Sequence, residues 1–219
     1  MEGIMIKAVL FDLDGTLADT ARDLGAALNR LLVEEGLSPL PYETIRPVAS
    51  HGARGVVRLG FGAELGAERM EALRVRFMDL YDANLAEATT LFDGVNELIS
   101  ELEARGLVWG IITNKSMRFT DRLVPWLPFA TPPAVTVSGD TVGVAKPDPK
   151  PMLYAAERIG IAPEHCIYVG DAERDIQAGR VVGMKTALAA WGYIADGDKP
   201  EAWGADCQIT HPLELLAHL

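Results

Sequence analysis

Cysteine is scarce. Cys166 and Cys207 are the only two in 219 residues and stand in unrelated contexts with no Cys-x-x-Cys spacing, which argues against a disulfide framework and against a zinc knuckle. Long apolar runs are missing as well. No stretch approaches the ~18 to 20 apolar residues that span a bilayer, and the N-terminal apolar run meets Asp12 too early for a signal peptide. A cytoplasmic protein without a membrane partner is therefore expected. Positive charge is in the minority: 20 Lys and Arg face 31 Asp and Glu, a formal net charge of -11. Nucleic acid and anionic lipid both demand a basic footprint that these cations do not cluster to make, so neither is an expected partner. An anionic small substrate would need positive charge supplied locally.

With 49% hydrophobic residues, the chain can bury a full core as one domain, or one domain carrying an insertion. After the apolar run from Ala8 that delivers Asp12 and Asp14, further apolar segments bounded by turn residues read as buried strands at Val108 to Thr113, Ala134 to Ser138, Cys166 to Gly170 and Lys185 to Ala190, with a last one at Cys207 to Thr210. Helical patterns at Val95 to Arg105, Arg118 to Trp126, Pro149 to Ile159 and Asp175 to Val182 alternate with them. That alternation predicts an α/β fold, a Rossmann-like doubly wound parallel sheet, with ligands at the carboxyl ends of its strands. The segment from about Ala18 to Ala88 breaks the rhythm. Ala21 to Glu35 and Glu68 to Glu87 carry helical periodicity, whereas Pro41 to Gly62 reads as a broken stretch rich in Gly, Arg and Pro. The expected organisation is a core of residues 1–17 and 89–219 with an inserted α-helical cap of 18–88, in preference to helices that merely pack on the sheet.

Four polar clusters close the apolar runs. In Phe11-Asp12-Leu13-Asp14-Gly15-Thr16, two carboxylates at i and i+2 of a strand point the same way. Their repulsion is tolerable only with a cation between them or a proton on one. Thr113-Asn114-Lys115 places a hydroxyl and an amide at a strand end followed by a helix, a corner suited to phosphate oxygens. In Lys146-Pro147-Asp148-Pro149 the prolines stiffen the setting of Lys146 at a helix entrance, where an ammonium could offset charge on a transferring phosphoryl group. Gly170-Asp171 is followed four residues on by Asp175, so the two carboxylates share a face if a helix starts there. A set of hard oxygen donors suits Mg²⁺ better than zinc.

The order Asp12-Leu13-Asp14-Gly15-Thr16, then Thr113-Asn114, then Lys146-Pro147, then Gly170-Asp171 with Asp175 resembles the motif series of the haloacid dehalogenase superfamily of phosphotransferases. The likeness spans nearly the whole chain. The helical insertion resembles that superfamily's first cap type, and the whole looks like its phosphoglycolate phosphatase group. The resemblance implies that Asp12 is a nucleophile forming an aspartyl-phosphate. It makes Asp14 the acid that protonates the leaving alcohol and then the base that activates water. It further implies Mg²⁺ held by the carboxylates of Asp12 and Asp171 and the backbone carbonyl of Asp14, with Asp175 supporting from behind. Thr113, Asn114 and Lys146 would bind phosphoryl oxygens.

The leaving group is chosen by the cap in this architecture. Ser50-His51-Gly52-Ala53-Arg54 is the candidate specificity loop, with Arg54 suited to a substrate carboxylate and His51 adding a donor. Trp109 to Lys115, His51 to Arg54, Trp203 to Asp206 and His211 to Leu215 also resemble the N-acetylmuramic acid 6-phosphate phosphatases. Both 2-phosphoglycolate and N-acetylmuramic acid 6-phosphate carry a carboxylate beside the phosphate. The expected reading is a Mg²⁺-dependent phosphomonoesterase, monomer or homodimer, acting on such a phosphorylated acid. A phosphosugar mutase or a catalytically silent relative on the same fold are the alternatives.

Overall fold

The computed structural model describes residues 5–219. Strands β1 (Ala8–Phe11) and β2 (Ala18–Asp19) lead into four helices, α1 (Ala21–Glu34), α2 (Tyr42–Ile45), α3 (Gly52–Phe61) and α4 (Ala67–Ala83). The chain then alternates through β3 (Thr90–Leu91), α5 (Val95–Ala104), β4 (Val108–Ile112), α6 (Met117–Trp126), β5 (Thr136–Val137) and α7 (Lys150–Ile159). It closes with β6 (Cys166–Gly170), α8 (Glu173–Val181), β7 (Lys185–Ala189) and β8 (Cys207–Ile209). No helix of the described residues is long and apolar enough to cross a membrane.

Six strands form one sheet in the order β5-β4-β1-β6-β7-β8, every pairing parallel. Side-chain alternation explains why β1 is apolar throughout. Val9 and Phe11 point into one core layer with Val95, Leu98 and Ile99 of α5, while Ala8 and Leu10 point into the other with Met152 and Ala155 of α7. The chain winds outward from β1 through β4 to β5, then returns and winds outward on the other side through β6, β7 and β8. The carboxyl ends of β1, β4 and β6 therefore open onto one crevice.

The expected α/β fold is the observed one, with strand ends within one or two residues of those read from the sequence. The stretch Pro41 to Gly62 is not broken, however. It folds as the short α2, a 3₁₀ turn at Arg46–His51 and the ten-residue α3. One of its glycines serves packing between helices. A Cβ on Gly60 would lie 2.9 Å from Leu28 and 3.1 Å from Leu32 of α1, so the missing side chain lets the two helices approach. Between them Leu28, Leu31, Leu32, Val56, Val57 and Phe77 make an apolar core separate from those of the sheet. The antiparallel ribbon of β2 and β3 stands where the helical insert leaves and rejoins the sheet. Because Gly60 is a packing residue, Gly60→Val should lower stability by about 1–3 kcal/mol through overpacking, measured by urea unfolding. A helix-propensity effect alone would instead make the substitution neutral or stabilising.

Candidate active site

Asp12 follows directly on β1, where its backbone N–H still bonds Val169 O at 2.9 Å, and the chain then turns sharply. Gly15 is required there: its φ is +86°, and a Cβ would lie 2.1 Å from Asp171 Oδ2. The close approach brings the end of β1 against the end of β6. One carboxylate oxygen from each of Asp12, Asp171 and Asp175 lies within 4.8 Å of the others, and all three residues are buried. Asp175 sits in the first turn of α8, with Oδ2 accepting from Ala172 N at 3.0 Å. Its Oδ1 accepts no well-directed hydrogen bond and is met by the Lys146 ammonium at 2.8 Å.

Burial and mutual repulsion set the electrostatics. Desolvation pushes the Asp171 carboxyl up to about 7, the Asp12 and Asp175 charges add to the rise, and the Tyr193 N–H to Oδ2 at 2.8 Å opposes it. Asp12 is raised in the same way by burial, against the pull of Lys146. Buried carboxylates held at raised values are waiting for either a proton or a cation. Hard, close-set oxygens with no nitrogen or sulfur among them fit a divalent cation of the Mg²⁺ type.

Lys146 lies beneath this cluster with a fully buried side chain. Its Nζ donates to Ile112 O at 2.7 Å and Tyr168 Oη at 2.6 Å, and it pairs with Asp175 at 2.8 Å and Asp12 at 3.1 Å. Asn114 fixes the backbone of Lys146 from both ends of its amide: Nδ2 donates to Lys146 O and Oδ1 accepts from Lys146 N, each at 2.9 Å. Thr113 Oγ1 accepts from Lys115 N at 3.1 Å, which leaves its own proton free. Asp14 stands apart from the three-carboxylate cluster. Its Oδ1 accepts from Thr20 Oγ1 at 2.5 Å and pairs with Lys115 Nζ at 2.8 Å. Burial works against the Lys115 charge, but the Asp14 carboxylate prevails and raises its pKa.

These groups floor a cavity of about 260 Å³. Asp12, Asp14, Thr113, Asn114, Lys115 and Arg174 form its polar side; Leu24, Phe77, Met78, Tyr81 and Phe119 form an apolar wall, mostly from the helical insert. The insert also reaches the carboxylates directly, through Ser50 Oγ to Asp171 Oδ2 at 2.9 Å. Tyr81 packs edge-on against Phe119 with ring centroids 5.2 Å apart, and its hydroxyl is buried without a hydrogen-bond partner. A second cavity of about 280 Å³ lies on the other side of Ser50 and Arg174.

The structure thus brings Asp12, Asp14, Thr113, Asn114, Lys146, Asp171 and Asp175 together at one strand-end crevice. Arg54 is not brought in. It sits on α3, largely exposed, 3.4 Å from Glu71 of α4 and outside both cavities. His51 borders only the second cavity. Because Gly52 to Phe61 is helical, the expected loop turns Ala53 to the first cavity and Arg54 away from it. The cations that line the cavity, Lys115 and Arg174, were assigned no role in the motif reading. Both are adjacent to motif residues, and that adjacency was the available signal.

The model of the haloacid dehalogenase-like hydrolases matches residues 9–189. An N-acetylmuramic acid 6-phosphate phosphatase of Pseudomonas aeruginosa is 42% identical over 99% of this chain and 96% of its own length. A phosphoglycolate phosphatase of Xanthomonas campestris pv. campestris is 44% identical over 95% of this chain and 94% of its own. A solved structure, a haloacid dehalogenase-like family hydrolase from Streptococcus pneumoniae, superposes with a TM-score of 0.78 at 22% identity, covering 97% of this chain and 98% of that one. Sheet order, carboxylate geometry and full-length likeness agree, and the chain belongs to the haloacid dehalogenase-like hydrolases.

Proposed function

We propose that this hydrolase is a cytoplasmic phosphomonoesterase that hydrolyses a small phosphorylated acid through an aspartyl-phosphate, with N-acetylmuramic acid 6-phosphate favoured over 2-phosphoglycolate. The observation that carries the reaction is the separation of the paired carboxylates. Asp12 is locked into the Lys146 and Asp171 cluster, while Asp14 stands across the cavity on Thr20 and Lys115. Asp12 attacks phosphorus as the bond to the leaving oxygen breaks, and Asp14 delivers the proton that oxygen takes up. Asp14 then removes a proton from water, which attacks phosphorus and returns the Asp12 carboxylate with release of phosphate. Thr113 offers its free hydroxyl proton to a phosphoryl oxygen. Mg²⁺, held by the carboxylates of Asp12 and Asp171 and the carbonyl of Asp14, would neutralise the repulsion between nucleophile and phosphate dianion.

The substrate preference rests on the cavity wall. Phe77, Met78, Tyr81 and Phe119 offer apolar area and one unpaired buried hydroxyl. A two-carbon glycolate would leave both unused, whereas an acetamido sugar acid presents a methyl group and polar atoms to them. Full-length relatives named for each of the two acids support the substrate class and leave the preference to the cavity wall. Arg54 faces solvent, tied to Glu71, and does not supply the contact to the substrate carboxylate.

Asp12→Asn should lower turnover by at least about 10³-fold with the circular dichroism spectrum unchanged; substantial residual activity would remove Asp12 as nucleophile. In side-by-side assays kcat/KM for N-acetylmuramic acid 6-phosphate should exceed that for 2-phosphoglycolate by about 10-fold or more. Tyr81→Phe should narrow that ratio, and Arg54→Ala should leave it within about twofold.

Metal loading has a pH signature. Asp171 keeps its proton up to about pH 7 in the folded chain, against an ordinary value of 3.8. Between the two the metal-free fold binds a proton the unfolded chain lacks, so it loses stability as pH rises through that window. A bound divalent ion displaces that proton, so its affinity climbs with pH and flattens once Asp171 ionises unaided. The rise in thermal midpoint on adding Mg²⁺ should therefore be larger at about pH 8 than at about pH 5.5, and Asp171→Asn should remove the difference.

A further inference from the structure

The 3₁₀ turn Arg46–His51 of the helical insert reaches one oxygen of Asp171 by two routes. Near its end, Ser50 Oγ donates to Asp171 Oδ2 at 2.9 Å. At its start, Arg46 lays its guanidinium over the Tyr193 ring, 5.3 Å from the centroid, and donates to Trp191 O at 2.6 Å and Gly192 O at 3.1 Å. The stretch it grips follows β7, and Tyr193 there gives its own N–H to the same Asp171 Oδ2 at 2.8 Å. A planar fork of donors that also stacks on a ring is what this double grip requires, and an ammonium does not provide it.

Asp171 is closely confined on that side. A Cβ on Gly15 would lie 2.1 Å from Oδ2 and one on Gly192 2.7 Å from it, so two backbone segments press on the carboxylate where no side chain would fit. The other oxygen, Oδ1, receives only a long contact of 3.3 Å from Thr16 Oγ1. Asp171 is thus clamped through Oδ2 and keeps Oδ1 as the less engaged donor for an ion. The clamp is tied to the root of the insert as well. Tyr193 Oη accepts from Ala21 N at 3.0 Å and donates to Asp19 Oδ1 at 2.9 Å, where the chain leaves the sheet for α1.

We propose that Arg46 and Ser50 are positioning residues for the divalent-cation site: the seated insert fixes the edge that Asp171 presents, so ion affinity depends on the seating, and a bound ion tightens the insert in return. The inference rests on the Mg²⁺ site of the phosphomonoesterase reading above, but its test needs no turnover. Both residues act through Asp171. Partners that orient a metal ligand from behind account for about 10- to 100-fold in affinity, and the coupling between two binding or ordering events is reciprocal, so each direction can be measured.

The test is calorimetric titration of Mg²⁺, and separately of Mn²⁺, into the metal-free full-length chain, wild type against Arg46→Met, Arg46→Lys and Ser50→Ala. Ion affinity should fall by about 10-fold or more in Arg46→Met and in Ser50→Ala, with partial recovery in Arg46→Lys. In the reverse direction, amide hydrogen exchange across residues 46–51 should slow when Mg²⁺ is added to wild type, and slow less in Ser50→Ala. A turn that only holds the insert in place would lower the thermal midpoint of the metal-free variants and leave ion affinity within about twofold of wild type. That result in either Arg46→Met or Ser50→Ala overturns the proposal, as does exchange at 46–51 that Mg²⁺ leaves unchanged, or wild-type protein that binds neither ion. Should Arg46→Met fail to fold by circular dichroism, the same threshold applies to Arg46→Lys and Ser50→Ala. If the affinities fall as expected in a protein that hydrolyses no phosphomonoester, the phosphomonoesterase reading fails and this inference stands; unaltered affinities in an active phosphatase remove this inference alone.

Discussion

Three buried carboxylates within 4.8 Å of one another impose the constraint from which the rest of the site follows. Like charges at that spacing, away from water, are unstable without compensation. The chain compensates from below with the ammonium of Lys146, held by two oxygens that are not carboxylates as well as by two that are. It clears space from the side by placing Gly15 where any Cβ would strike Asp171. It leaves the upper side for a cation. Strand order serves the same end: β1 runs between β4 and β6, so Asp12, Thr113 and Asp171 emerge from three adjacent strand ends without long loops to position them.

The helical insert completes this arrangement and does more than cover it. Ser50 hydrogen-bonds Asp171, and Arg46 donates to the carbonyls of Trp191 and Gly192 while its guanidinium stacks over Tyr193. Tyr193 in turn donates its own N–H to Asp171. One carboxylate is thus gripped from both bodies of the fold. Phe119 belongs to α6 beside the sheet but packs in the apolar core of the insert, so the cavity wall and the seating of the insert share the same contact. A change in how the insert sits would alter cavity shape and the surroundings of Asp171 together.

Much of this was legible in the sequence because it is local. Gly-Asp and Asp-x-Asp-Gly at the ends of apolar runs mark strand termini, and the fourfold series picks out Asp12, Asp14, Asp171 and Asp175 as one set. What escaped depends on contacts between distant segments. Gly60 reads as a helix breaker because its compensation lies on α1, in Leu28 and Leu32. The misreading of α3 as a loop carried Arg54 into the site, since a loop residue can face anywhere but a helical one is fixed by its neighbours. The setting of Lys146 was legible, yet no sequence pattern reveals that its ammonium donates to Tyr168 Oη and Ile112 O beneath the carboxylates.

The cations of the site divide the work that a protein of net charge -11 must do to receive an anion. Lys146 is spent on Asp12 and Asp175, and Lys115 on Asp14. The two lysines offset part of the charge of Asp12, Asp14 and Asp175, Arg174 adds a third cation at the cavity wall, and a divalent ion on the carboxylate cluster would make the cavity receptive although the surface is acidic. Exposed acidic groups more than ~8–10 Å away are screened by salt and oppose a phosphate little. What matters is the charge inside the cavity, where screening is weak. Cations placed there count for more than a distant surplus of carboxylates, so overall charge argues against polyanionic partners without arguing against a small phosphorylated one.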